Sequence, residues 1–250
     1  MLELLLDTRI PFVINGESID VRLLVGDVSA LMADDALQAE ALTQLSPFRR
    51  EKALVIKHPR GRAQSIGASL LLDALLAEQG LHERDMNYVV GEHGKPELEV
   101  KSEQFTLPFN LSHAGSMASA AVIESRDERL EIKDSQAQPS LISHLSSLIL
   151  GCSLGLDIQR ITRYRPELVR RVFSAADRQL LAAAPDESSR ERLFAQLWSR
   201  AEAYAKATGL GLQWPFPTPP ATALFHDFEV GNDYCGSLCL IPPRYMWDKV

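Results

Sequence analysis

A long hydrophobic run, a basic excess and a cysteine framework are all missing from this 250-residue sequence, and each absence removes a class of protein. The longest apolar runs, near 70–76 and 145–150, fall far short of the roughly 20 residues a membrane helix needs. The formal net charge is −7, so no basic face dominates and a nucleic-acid partner is not expected. A local basic cluster can still hold a small anion. Only three cysteines occur, Cys152, Cys235 and Cys239, and Cys235-x-x-x-Cys239 has no second ligand pair. They read as reduced cytosolic thiols, neither a disulfide frame nor a zinc site. No Rossmann or P-loop glycine pattern is present. The opening M-L-E-L-L-L-D-T-R carries Glu3 and Asp7 but no basic leader and no small-residue cleavage site. The expectation is therefore a cytoplasmic protein without a signal peptide or membrane association.

What is present is an ordinary globular balance, 46% hydrophobic and 24% charged, long enough for one large domain or two small ones. Residues 1–30 read as strands around an Asn15-Gly16 turn. The spacing predicts helices over 31–45 and 63–79 and a basic helical piece at 48–53. Strands are expected at 87–90 and 118–123, with the turn 91–96 after the first and F-N-L-S-H (109–113) before the second. Composition then changes: residues 125–153 hold seven serines and a charged run, as a linker or insertion would, with a short helix at 141–150. A strand at 154–158, helices near 166–172, 175–183 and 189–208, and strands at 223–230 and 234–241 complete the pattern. The class is α+β, divided as 1–124, a serine-rich linker 125–153, and 154–250.

The densest chemistry lies in W-S-R-A-E-A-Y-A-K-A-T-G-L-G (198–211). Glu202 and Lys206 are four residues apart, hence neighbours on one helix face, beside a stripe of Phe194, Leu197, Trp198, Ala201, Ala205 and Thr208. Taken alone the pair reads as a surface salt bridge. Asp157 lies in the strand G-L-D-I-Q, where side chains 157 and 159 share a face. A strand Asp and a helix Glu on adjoining elements form a hard-oxygen site of the kind Mg²⁺ favours, completed by waters and a substrate phosphate. Lys206 would meet that phosphate. Anion-binding groups lie earlier: Lys95 in a rigid Gly-Lys-Pro turn, Ser112-His113, Arg62 and the Arg49–Lys52 cluster. A hydrolase using Ser112 lacks the nucleophile-elbow glycines.

In order, G-K-P, F-N-L-S-H, G-L-D-I and W-S-x-x-E-A-Y-x-K-x-x-G-x-G-L make a chain that resembles the 4′-phosphopantetheinyl transferase superfamily, in its long, two-half Sfp-type group, from about residue 45 to 212. R-V-F-S-A-A-D (171–177) is similar to that family's R-x-F-S-x-x-E element. The resemblance implies two similar α+β halves with the active site in the cleft between them. It implies a holo-[acyl-carrier-protein] synthase activity: the phosphopantetheine arm of coenzyme A passes to a serine of an apo acyl or peptidyl carrier protein, with Mg²⁺, releasing 3′,5′-ADP. Partners would be coenzyme A and the carrier, and the protein a monomer. By position, Asp157, Gln159 and Glu202 fall on the metal ligands and Glu202 also on the general base. Lys206 falls on the pyrophosphate lysine, Lys95 and Pro96 on the G-K-P contact, Ser112 and His113 on the phosphate-binding pair, and Arg62 near the 3′-phosphate cation. Arg163, Arg165, Arg170 and Arg171 are candidates for steering an acidic carrier.

Four departures stand out. Gln159 replaces an acid, Ala201 replaces a lysine, Ala114 replaces a serine, and about 30 residues intervene where the family has a short connection. An active enzyme is expected; a non-catalytic relative that binds coenzyme A or a carrier is the alternative, motivated by Gln159 and Ala201.

Overall fold

The computed structural model describes residues 2–91, 94–100, 105–124, 151–243 and 246. Of the serine-rich linker expected over 125–153, residues 125–150, with the expected helix at 141–150, lie outside the described residues, and Ser153 already opens a strand. Strands β1 (Glu3–Ile14) and β2 (Glu17–Asp27) form a hairpin whose Asn15 and Gly16 both have positive φ. That is the conformation a two-residue Asn-Gly turn supplies. Four helices follow: α1 (Ser29–Ala33), α2 (Asp35–Gln44), α3 (Pro47–Leu54) and α4 (Pro59–Ala77). The single helix expected over 31–45 is broken at Asp34, which leaves helical geometry and accepts the amides of Ala36 and Leu37 as the N-cap of α2. α4 starts four residues earlier than the spacing indicated, on Pro59 in the first turn.

Strands β6 (Phe109–Ala114) and β7 (Met117–Glu124) join the hairpin in an antiparallel sheet of order β1-β2-β7-β6. A small sheet, β3 (Asn87–Val90), β4 (Pro96–Val100) and β5 (Phe105–Leu107), lies between α4 and β6 in sequence. The second half holds β8 (Ser153–Arg160), α5 (Pro166–Val172), α6 (Ala175–Ala182), α7 (Glu187–Thr208), β9 (Leu224–Val230) and β10 (Tyr234–Ile241). Its sheet runs β8-β10-β9, antiparallel throughout. The fold is thus α+β, two halves each built on an antiparallel sheet and a long helix.

Side-chain alternation explains how the layers stack. Leu23 and Ala121 point to one face of the first sheet, into a core shared with Leu154, Leu156, Ile158 and Leu238 of the second. Their neighbours Leu24 and Val122 point to the other face and pack with Ile66, Leu72 and Leu75 of α4. The two sheets therefore lie face to face, with α4 outside one and α7 outside the other. On β8 the same alternation sends Gly155 and Asp157 away from the shared core, toward α7.

α7 approaches β8 more closely than its sequence suggested. The face that meets the sheet is Ala195, Ser199, Ala203 and Ala207, all small and buried. The stripe of Phe194, Leu197, Trp198 and Ala201 turns instead toward Phe173 and Phe216. Gly155 completes the contact, because a Cβ there would collide with the Ala203 carbonyl and the Ala207 amide.

Candidate active site

The free edge of β8 creates the site. One edge pairs with β10, and the other faces β6, where polar side chains take up backbone groups that would otherwise be orphaned. Asn110 Oδ1 accepts the Leu156 amide (3.1 Å) and Ser112 Oγ accepts the Ile158 amide (3.2 Å). Lys95 Nζ donates to the Leu154 carbonyl (2.7 Å), and Lys206 Nζ to that of Leu156 (3.0 Å). G-K-P, F-N-L-S-H and the Glu202/Lys206 helix thus all meet on G-L-D-I.

Asp157 is the centre of this seam. It is 3% exposed, and both its oxygens are engaged. Oδ1 accepts from Lys206 Nζ at 2.7 Å and Ser112 Oγ at 3.0 Å, and Oδ2 from Gln159 Nε2 at 2.8 Å. The ion pair of Lys206 is therefore made across elements to Asp157, a geometry that the salt-bridge reading of Glu202 and Lys206 did not foresee. Gln159 does share a face with Asp157, as strand alternation required. Burial, and next the charge of Asp157, push the Glu202 carboxyl above its ordinary value, against Lys206 and a Trp198 hydrogen bond.

Ser112 is buried while its neighbour His113 is exposed, as alternation along β6 dictates. With Ser112 Oγ committed to Asp157, Ile158 and Lys206, the pair does not form the nucleophile and base of a hydrolase. Close packing around the ring lowers the His113 pKa, and the nearby Lys206 charge adds to this. Lys95 is carried by a turn in which Gly91 donates to the Lys95 carbonyl and Gly94 takes φ +78°. Burial lowers its amine to about 8. Pro96 opens β4 opposite Val90.

A cavity of about 400 Å³ lies between the halves. Lys95, Pro96, Asn110, Glu202 and Lys206 line it, together with Gly209, Gly211 and Leu212 of the segment after α7. Arg62 is not part of that wall: its Nε and Nη2 donate to the Ile56 carbonyl, bracing the α3–α4 connection. Arg49 occupies the wall instead. In the sequence Arg49 stands out only as part of a basic cluster; its positional signal is S-P-F-R, a capped helix start that turns Arg49 and Ala53 inward together. Among the described residues no group of three or more His, Cys, Asp or Glu side chains could hold a metal ion. The expected ligand set is two carboxylates and one amide.

The structure is thus an α+β protein of two sheet-bearing halves that bring Lys95, Lys206, Arg49 and the carboxylate of Glu202 to one cavity. Residues 153–247 match the family model described as the 4′-phosphopantetheinyl transferase superfamily. Over that segment the chain is similar to this superfamily. It is 27% identical over 153 residues to the 4′-phosphopantetheinyl transferase HetI of Nostoc sp. (strain PCC 7120), covering 60% of this chain and 53% of HetI. To the 4′-phosphopantetheinyl transferase Sfp of Bacillus subtilis (strain 168) it is 25% identical over 173 residues, 68% of this chain and 63% of Sfp. A shorter match, 38% over 80 residues, joins 31% of this chain to 56% of the holo-[acyl-carrier-protein] synthase of Chloroflexus aggregans. The chain thus spans between about half and two thirds of the length of these three relatives.

Proposed function

We propose that this protein transfers the 4′-phosphopantetheine arm of coenzyme A to a serine hydroxyl of an apo acyl or peptidyl carrier protein, as a holo-[acyl-carrier-protein] synthase. The pseudo-twofold relation of the halves and an active site in the cleft belong to the same reading. One observation carries it: Glu202 and Lys206 line a cavity to which both halves contribute, and Lys206 is bonded to the buried Asp157 carboxylate, whose charge Glu202 feels.

Asp157 and Glu202 suit Mg²⁺ in donor chemistry. Glu202 feels the negative charge of Asp157, which a cation would relieve, and Mg²⁺ binds through one or two carboxylates with substrate phosphates and water. Gln159 would add an amide oxygen after turning its carboxamide, one negative charge fewer than an acid would bring. When bound, the ion would neutralise charge on the phosphates. Lys206 would hold a pyrophosphate oxygen by giving up one of its three bonds to Asp157, Ser112 and Leu156, and Lys95 and Arg49 line the same wall. Glu202, its carboxyl pushed above the ordinary range, accepts the proton of the carrier serine. The serine oxygen forms a new bond to phosphorus as the bond to the 3′,5′-ADP oxygen breaks. The leaving group departs as an anion, so the work of the site is positioning and charge neutralisation.

The test is intact-mass analysis of apo acyl and peptidyl carrier proteins incubated with this protein, coenzyme A and Mg²⁺. A phosphopantetheine adduct is expected, and Glu202→Gln should reduce its rate by at least about a hundredfold, the scale of general acid–base catalysis. No adduct on several unrelated carriers would sink the reading. Coenzyme A binding without transfer would instead support a non-catalytic relative, which the engagement of Asp157 by Lys206 and Gln159 favours.

A further inference from the structure

Arg49 is 9% exposed, yet its Nη2 is buried without a hydrogen-bond partner among the described residues. The guanidinium is otherwise held by one hydrogen bond and by aromatic rings. Nε donates to the Tyr88 hydroxyl at 2.8 Å. The guanidinium lies over the rings of Tyr88, Phe109 and Phe48, 4.9, 5.2 and 5.7 Å from their centroids, and Phe48 stacks on Tyr88. Tyr88 in turn donates its hydroxyl hydrogen to Glu83 Oε1. Glu83 is 3% exposed and also accepts from Ser46 Oγ (2.6 Å) and the Ser46 amide (3.3 Å), at the N-cap of Arg49's own helix. The chain Ser46–Glu83–Tyr88–Arg49 satisfies each hydroxyl and the carboxylate along it and leaves one buried orphan, Nη2 of Arg49, a residue of the cavity wall. Burying an unpaired donor of a charged group is costly, and a network so complete otherwise implies that the orphan is filled by a ligand.

We infer that Glu83 and Tyr88 are positioning residues that hold Arg49 with Nη2 presented to a phosphoryl group lodged in the cavity. The inference rests on the coenzyme A reading for the identity of that ligand. The ring stack fixes the plane of the guanidinium, and the Nε bond fixes its rotation within that plane. A phosphoryl oxygen then meets a preorganised donor, and little side-chain entropy remains to be lost on binding.

A double-mutant cycle tests this, with dissociation constants measured by calorimetry for coenzyme A and for inorganic phosphate. Tyr88→Phe keeps the stacked ring and removes the acceptor of Nε. It should weaken both ligands about tenfold, the scale of one charged hydrogen bond. In an Arg49→Met background the same change should have no further effect. In turnover, the KM for coenzyme A should rise while kcat at saturation moves less than twofold. Unchanged affinity in Tyr88→Phe, or an equal loss in the Arg49→Met background, overturns the inference, since Tyr88 would then act on the fold alone. If Tyr88→Phe melts below the assay temperature, Glu83→Gln is read through the same cycle. Wild-type protein that binds phosphate but not coenzyme A overturns the functional reading, and the phosphate arm still decides the role of Tyr88. Wild-type protein that binds neither overturns both.

Discussion

At the scale of single residues, Gly155 decides whether the site exists. Its missing side chain lets α7 rest on β8 with the Ala203 carbonyl and Ala207 amide against the strand. Lys206 lies one residue before Ala207, so this contact is also what brings its amine to 2.7 Å from Asp157. Adding one methyl would press on backbone atoms, which cannot swing aside as a flexible side chain can. Gly155→Ala should therefore destabilise by at least the roughly 1–3 kcal/mol typical of overpacking. A lower thermal midpoint with weakened ligand affinity is the expected result. A variant melting within a degree of wild type would show that the helix and strand are not in contact. In the sequence this glycine was legible only as part of the G-L-D-I resemblance. Its physical reason needs the partner helix, 48 residues later.

At the scale of elements, the R-V-F-S-A-A-D segment has a local explanation. Ser174 Oγ accepts the Asp177 amide at 3.1 Å while the Asp177 carboxylate reaches back to the Ser174 amide at 3.3 Å, a reciprocal cap that starts α6. Ser174→Ala should cost about 1 kcal/mol, read as a lower denaturant midpoint with an unchanged m-value; an unaltered midpoint would argue that α6 needs no cap. Elements of this kind were legible because their signals are local. Asn15-Gly16 marked the hairpin, Pro166 opened α5, and Gly209, with φ +72°, closed α7. The buried face of α7 was not legible. Hydropathy points to Phe194, Leu197 and Trp198, and these do pack, against α5 and the 215–220 segment. The sheet-facing residues are alanines and a serine, chosen by distance rather than by hydrophobicity. The break at Asp34 was hidden for a similar reason, since apolar spacing runs across it while the capping carboxylate ends one helix and starts another. Arg49 outranked Arg62 only once the fold showed which side of α3 faces inward.

At the scale of the whole molecule, the halves are joined by a shared core and by the polar side chains that seal the edge of β8. Lys95 shows how the second device works. Its amine, from the first half, donates to Leu154 at the start of β8 and to Ala207 in the last turn of α7, 2.7 and 3.3 Å away. Two N–H donors meet two carbonyls, so the neutral amine keeps both bonds. Its folded pKa of about 8 lies below the ordinary 10.5 because burial penalises the charged form. Between those values the unfolded chain binds more protons at this site than the folded one. On this group alone, stability therefore rises as pH climbs from about 8 toward 10.5. The buried thiols act in the opposite sense. Cys152, Cys235 and Cys239 are each pushed up to about 12 by burial, so the stability they confer is full below 9 and is lost progressively as pH rises above it. Thermal midpoints of wild type and Lys95→Met, followed from pH 7 to 10 at fixed ionic strength, separate the two effects. Both proteins should lose stability above pH 9, Lys95→Met should be the weaker throughout, and the gap between them should widen from about pH 8 upward. A gap that stays constant would mean that Lys95 titrates as it does in water, and that the seam between the halves is open to solvent at that end.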